Sequence, residues 1–267
     1  MRAERGHWDM SDGWQGWDTY APFYDWENAR TLGRRDVPFW RRIAADVDGD
    51  LLELGCGTAR LLAPMARVRD GAGRTIGIDR SAPMLERAQR RIKRLPRPVR
   101  PLLVRGDVRA WPTRPGRLRA VIAAYGLLQS LVRDRDVDAT LEAAAAGLGR
   151  RGLLAIDLVP DLSVWEEYER RMPLRGTLAP GTTVTLVESV RQDRRRGVTV
   201  FDEQFVVRRG RRVERHPFQL VFRTLPIDDI LQRLEHAGFR IEQVCGGYHG
   251  EVWHREADTW VILARKR

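Results

Sequence analysis

At 267 residues, 43% hydrophobic and 31% charged, the chain has the composition of a folded globular protein and enough length for one large α/β domain. Its two cysteines, Cys56 and Cys245, exclude a disulfide framework and a paired-cysteine metal knuckle. No apolar run approaches the roughly 20 residues of a bilayer-spanning helix, and the N-terminus lacks an apolar leader, so no membrane association and a cytoplasmic location are expected.

The formal charge of +11 invites a nucleic-acid reading. All but two of the 47 basic residues are arginines, however, and they are scattered through turns and helix ends, as at Arg194 to Arg196 and Arg208 to Arg212. Clusters of that kind are ordinarily solvated.

Taken in order, the first 30 residues crowd Trp8, Trp14, Trp17, Tyr20, Phe23, Tyr24 and Trp26 among aspartates. Such a segment packs as an arm on the body, or closes over a ligand as a lid. A helix is predicted from Asp36 to Asp46, with Phe39, Trp40, Ile43 and Ala44 on one face. Strand 51–54 then leads through a glycine turn to a helix at 59–69. Arg74 to Asp79 reads as a second strand, followed by Ser81 as N-cap of a helix through Met84, Leu85, Ala88 and Ile92. Segments 101–107 and 118–125 read as the third and fourth strands, 134–148 as a helix and 153–158 as the fifth strand. Strands alternating with helices predict a Rossmann-like, doubly wound, mostly parallel sheet covered on both faces.

The pattern changes after the fifth strand. Between 174 and 225, β-branched and aromatic runs are punctuated by Gly181, Gly197 and Gly210, which predicts three or four antiparallel strands inserted into the α/β unit. Pro226 to Gly238 is a helix with proline at its start and glycine past its end. Segments 239–244 and 259–264 close the chain as strands. The expected organisation is an N-terminal arm and helix over 1–47, a cofactor-binding unit from 48–160 and 226–267, and an antiparallel insertion over 161–225 that roofs an acceptor site.

The stretch Leu51-Leu-Glu-Leu-Gly-Cys-Gly-Thr-Ala-Arg-Leu-Leu62 carries the chemistry. Gly55 and Gly57 let the backbone come close to a ligand, and ligands of such sheets sit beyond the carboxyl ends of the strands, where strand order reverses. Glu53, Asp79, Asp107 and Tyr125 all fall at predicted strand ends. A dinucleotide site would want a third glycine where Arg60 stands, and the charge of Glu53 would repel a pyrophosphate. A cationic ligand suits these acids better. S-adenosylmethionine offers a sulfonium and an ammonium to the acids, and a ribose diol to Asp79, whose carboxylate can accept two hydroxyl hydrogen bonds. Asp107 could accept from the adenine amino group.

Glu53-Leu-Gly-Cys-Gly-Thr-Ala59 resembles motif I of the class I S-adenosylmethionine-dependent methyltransferases. Gly77-Ile-Asp-Arg-Ser-Ala-Pro-Met-Leu85 is similar to their second-strand motif, Gly106-Asp-Val108 to their adenine-binding turn, and Leu148-Gly-Arg-Arg-Gly152 to the turn into their fifth strand. The closing segment, with Ala237-Gly-Phe239, is similar too. The resemblance implies a seven-stranded sheet with an antiparallel pair at its edge. It places Glu53, Gly55, Cys56, Gly57, Asp79, Arg80, Met84, Asp107, Val108 and Tyr125 around the cofactor, joined by Tyr24 from the arm. A Tyr-Asp pair before the core, here Tyr24-Asp25, together with the insertion, resembles small-molecule methyltransferases such as those acting on amino sugars. Two family features are missing: a histidine after the fourth strand, and the Asn-Pro-Pro-Tyr signature of base methylation.

Methyl transfer is an in-line displacement with a neutral leaving group, so the protein chiefly aligns the reactants and excludes water. Tyr24, Gln129 and His249 are the candidate catalytic residues, with Tyr20 and Tyr125 as further candidates and Glu203 and His216 as insertion residues that could face inward. The expected function is methyl transfer to an O or N of a small-molecule acceptor. A tRNA or rRNA methyltransferase and a non-catalytic cofactor-binding or partner protein are the alternatives. Asp79→Ala is expected to weaken S-adenosylmethionine binding about tenfold or more, roughly 1.4 kcal/mol; calorimetry on the purified variant checks this, and unchanged affinity contradicts the assignment.

Overall fold

The computed structural model describes residues 16–69, 73–112, 114–159 and 166–267. Trp8 and Trp14 of the arm lie outside the described residues, as does the junction at 160–165.

Seven strands form the main sheet: β1 (Asp50–Leu54), β2 (Thr75–Asp79), β3 (Leu102–Arg105), β4 (Leu118–Ala123), β5 (Leu148–Leu158), β10 (Phe239–Cys245) and β11 (Trp260–Lys266). Their order is β10-β11-β5-β4-β1-β2-β3. All neighbours from β3 to β5 pair in parallel, whereas β11 pairs antiparallel with both β5 and β10. The reversal is thus confined to one strand. The remaining four strands, β6 (Tyr168–Ala179), β7 (Thr182–Asp193), β8 (Val198–Arg209) and β9 (Arg212–Arg223), form a separate antiparallel meander in the order of the sequence. The expected doubly wound sheet with antiparallel strands after the fifth is the observed fold.

Burial explains why β1 and β4 read as apolar runs. Every residue of β1 is buried, and one face of the sheet packs Leu51, Leu62, Met65, Ala120 and Ile122 while the other packs Leu54, Val121, Leu141, Ile156 and Ile262. Helix α2 (Val37–Ala45), α3 (Leu62–Arg67) and α4 (Ala82–Ile92) take the first face or its edge. Helix α6 (Asp134–Gly147) and α7 (Ile227–His236) take the second. Among the described residues no helix is long and apolar enough to cross a membrane.

Three local expectations need correction. The helix after β1 begins at Leu62 rather than at 59, because Gly55, Gly57 and Ala59 all hold positive φ, of 61°, 51° and 60°, which keeps the chain in turns. Strand β4 stops at Ala123, because Tyr125 and Gly126 are also left-handed, at φ 60° and 63°; they turn the chain into a short helix, α5 (Leu127–Ser130), that the sequence pattern did not announce. The aromatic arm contains a 13-residue helix, α1 (Gly16–Asn28), with Pro22 inside it. Its periodicity is blurred because it is buried on several sides at once: Tyr20, Ala21, Phe23, Tyr24 and Trp26 pack against Met84 of α4 and against Leu186, Phe205 and Leu220 of the meander. Phe23 stacks on Phe205 at 4.2 Å between ring centroids, and the Trp26 indole N–H donates to the Thr177 carbonyl at 3.0 Å.

Arg60 holds the entrance of the chain to this body. Its guanidinium donates to both carboxylate oxygens of Asp36, at 2.7 and 2.6 Å, and Asp36 is fully buried. Asp36 stands at the N-cap position of α2 but makes no side-chain cap bond, because its carboxylate is spent on Arg60. Removing one partner of a buried pair strands the other charge. Asp36→Ala is therefore expected to cost about 3–5 kcal/mol in urea unfolding, whereas Arg196→Ala, which removes an exposed pair with Asp193, is expected to leave the unfolding midpoint unmoved.

Candidate functional site

A cavity opens beyond the carboxyl ends of β1, β2 and β4, at the point where strand order reverses. Gly55, Gly57, Asp79, Arg80, Met84, Asp107, Val108 and Tyr125 line it, with Tyr24 and Trp17 of α1 and Phe222 of β9 above. The loop after β1 needs its glycines. A Cβ on Gly55 would lie 2.6 Å from Leu127 Cδ1, and both Gly55 and Gly57 have φ that L side chains rarely adopt.

Asp79 ends β2 and fixes the two loops that meet there. One carboxylate oxygen accepts the Gly57 N–H at 2.7 Å and the other the Ser81 N–H at 2.8 Å. Ser81 caps α4 as expected, its hydroxyl accepting from the Met84 N–H at 3.3 Å. Burial pushes the Asp79 carboxyl up, and the backbone donors from Ser81 and Gly57 oppose that rise. With the Arg80 N–H as a third backbone donor, the carboxylate keeps part of its acceptor capacity for a ligand hydroxyl.

The other two acids behave differently from the simple expectation of an acid-lined hollow. Glu53 is 4% exposed and does not line the cavity. Burial raises its pKa well above the ordinary value, with Arg60 acting in the opposite sense, and its Oε2 has no hydrogen-bond partner. Cys56 is likewise walled off, packed beneath the loop against Leu62 and Ala120 rather than facing the cavity. Asp107 does line the cavity, but Arg109 forks onto both its oxygens and Arg80 approaches at 3.7 Å. Arg109 above all holds this carboxyl below its usual range.

The arm is latched over the glycine loop. Asp25 accepts from the Thr58 hydroxyl at 2.7 Å and pairs with Arg91 of α4 at 2.9 Å. Tyr24 is buried, which raises its pKa, and it lies edge-on to Tyr125 at 6.3 Å. Arg60 sits 5.4 Å from the Tyr125 ring centroid. Tyr125 is 39% exposed.

A second cavity adjoins the first and shares Trp17, Tyr125 and Phe222 with it. Its walls are α1, the carboxyl end of β5 and the inner face of the meander. Gln129 lines it with an engaged amide: Nε2 donates to the Val159 carbonyl at 3.0 Å and Oε1 accepts the Val159 N–H at 2.8 Å. Glu203 faces this cavity and is buried, while His216 lies against Phe23, 5.2 Å between rings, and lines neither cavity. His249 is exposed, with its backbone N–H on Glu251 at 2.9 Å. Its neighbour Tyr248 is the residue at the site: its hydroxyl donates to Asp157 at 2.7 Å, and Asp157 also accepts the Gly126 N–H at 2.9 Å. Asp157, Tyr248, Glu27 and Glu188 are cavity residues that sequence reasoning missed. An acid at the end of an apolar strand was the available signal for Asp157.

With this geometry in place, comparison with known proteins is informative. Residues 51–152 match the family model described as a methyltransferase domain. Demethylmenaquinone methyltransferase of Lactiplantibacillus plantarum is 32% identical over 116 residues, which is 41% of this chain; the match spans about half of that relative, 48% of its length. Among solved structures, the CcbJ methyltransferase of Streptomyces caelestis superposes with a TM-score of 0.74 at 17% identity, covering 94% of this chain and 98% of the other. The sugar N-methyltransferase KedS8 of a Streptoalloteichus species gives 0.73 at 18% identity, covering 91% and 93%. The chain therefore shares its fold with these methyltransferase structures, and its residues 51–152 match the methyltransferase-domain model.

Three buried carboxyls give the site a pH signature. Burial pushes Glu203 up to about 9, Glu27 to about 7 and Asp157 to about 6. Above the ordinary carboxylate range the unfolded chain has released these protons and the folded chain still holds them, so stability contributed here is lost as pH rises towards about 9. Thermal unfolding across that range is expected to show a falling midpoint, and Glu203→Gln is expected to flatten the fall.

Proposed function

We propose that this chain transfers the methyl group of S-adenosylmethionine to a small-molecule acceptor seated in the cavity between α1, β5 and the meander. The observation that carries the reading is the continuity of the two cavities through Trp17, Tyr125 and Phe222. A ligand in the first is brought edge to edge with a ligand in the second, which is the arrangement an in-line displacement requires.

The residues present suit the cofactor. The glycine loop at 55–57 leaves room for close backbone approach, Asp79 has acceptor capacity for the ribose diol, and Met84 and Val108 give the adenine an apolar slot. When bound, S-adenosylmethionine supplies a methyl group on a cationic sulfur. Asp107 is assigned to orient Arg109 and Arg80 at the rim. Glu53 and Cys56 act from behind the loop: Glu53 is set beside Arg60, and Cys56 packs the turn. Tyr24 and Tyr125, at the junction, are proposed to align the acceptor against the methyl group and to exclude water. Gln129 holds the second cavity's wall through Val159.

The acceptor is read as a small molecule because aromatic rings from α1 and the meander close over its cavity, and the basic side chains of the chain's surface do not line it apart from Arg223. Purified protein is expected to form S-adenosylhomocysteine when incubated with S-adenosylmethionine and a mixture of small amines, sugars and phenols, detected by mass spectrometry. Methyl incorporation only into RNA, falling steeply with added salt, would move the reading to the nucleic-acid alternative.

A further inference from the structure

The meander's inner face is aromatic and apolar where it meets α1, with Val190, Phe201, Phe205, Leu220 and Phe222 in or beside the core. Into that face the chain places two glutamates directly opposite one another. Glu188 of β7 and Glu203 of β8 are register partners across an antiparallel pair, a position where like charges repel and weaken a sheet. Glu27 of α1 adds a third carboxyl from the facing wall, and all three line the second cavity.

The fold gives no use for this grouping. Glu203 is 5% exposed, and its Oε2 has no hydrogen-bond partner; Glu27 Oε2 is likewise buried without one. Tyr168 donates its hydroxyl to Glu188, and Arg171, the register partner of Glu188 on β6, is paired with Glu166. Arg223 also lines the cavity, but its strand position pairs with Val198, five residues along β8 from Glu203 and so roughly 16 Å away by strand rise. Its guanidinium is held by Asp134 at 2.6 Å. A buried carboxyl left without a donor is costly unless a ligand supplies one to the part of the group that the cavity reaches.

We propose that the acceptor is an amine-bearing small molecule whose protonated nitrogen is bound among Glu27, Glu188 and Glu203. The inference rests on the reading of this cavity as the acceptor site. An ammonium carries up to three N–H donors and a positive charge, which matches two cavity-lining carboxyls that are each incompletely hydrogen-bonded and a third acidic wall. The rings of Tyr20, Phe201 and Phe222 beside them favour the same cation through their faces. A metal ion fits less well: among the described residues no three His, Cys, Asp or Glu side chains are grouped closely enough to hold one. The burial that lifts the Glu203 and Glu27 carboxyls is the same cost that a bound cation removes, since pairing favours the charged form.

The test compares matched probes on the full chain loaded with S-adenosylhomocysteine: 2-phenylethylamine against 2-phenylethanol, and 2-amino-2-deoxyglucose against glucose, by calorimetry at neutral pH. In at least one pair the amine is expected to bind about tenfold tighter than its alcohol. Glu203→Gln and Glu188→Gln are each expected to reduce that preference to about threefold or less while leaving S-adenosylhomocysteine affinity unchanged. Equal binding of amine and alcohol in both pairs, no amine binding at all, or a preference that survives both variants overturns the proposal. The probe comparison needs no variant, so a substitution that fails to fold does not shelter it. Failure of S-adenosylhomocysteine to bind the parent chain strikes the cofactor reading instead, and the amine comparison is then decided on the unloaded protein.

Discussion

One buried guanidinium organises the region where the arm, the glycine loop and the fourth strand's end converge. Arg60 is fixed by two hydrogen bonds to Asp36, itself without solvent contact. Burial works against its charge, yet Asp36 and Tyr24 hold it protonated above its ordinary value. From that anchored position it faces the Tyr125 ring and offsets the charge of Glu53. The loop 55–59 holds three left-handed residues, Gly55, Gly57 and Ala59, and such backbone holds its shape only when the surroundings over-determine it. Arg60 supplies much of that determination from below and the Asp25–Thr58–Arg91 latch supplies it from above.

The electrostatics of the site are layered rather than uniformly acidic. Around the first cavity Asp79 is engaged by backbone N–H groups and Asp107 by arginines, while Glu53 is buried beside Arg60 and out of the cavity lining. Free carboxyl capacity lies in the second cavity, on α1 and the meander. The acids that attract attention in the sequence thus serve chiefly to shape loops. Those left to meet a ligand's charge sit on segments whose individual patterns carry no motif.

That division also explains what could be read from the residues in order. The parallel sheet was legible because β1, β4 and β5 are buried apolar runs separated by amphipathic helices, and the glycine loop and Asp79 were legible because close backbone approach restricts the residue type. Ser81 announced the start of α4 through its side-chain cap. Helix α1 was not legible as a helix, since contact on several sides replaces a single apolar stripe. Glu27 and Glu188 were invisible as partners because they meet only when β7 and β8 pair and α1 folds across them. His249 drew notice as a titratable loop residue, whereas the loop turns Tyr248 inward to Asp157 and leaves the histidine in solvent. Gln129 was found, but its amide is tied to Val159 and so builds a wall.

The tight fit of Gly55 against Leu127 bears on how this scaffold can be diversified. With only 2.6 Å between a hypothetical Cβ and the leucine's Cδ1, the loop and the α5 segment form an interlocked pair in which neither member tolerates a bulkier side chain alone. Attempts to broaden the range of accepted molecules by enlarging or reshaping position 127 would disturb the cofactor loop as well. Phe201, carried on the separate meander and lining the second cavity without the first, offers an independent handle, so substrate tailoring belongs on that sheet and not on the main one.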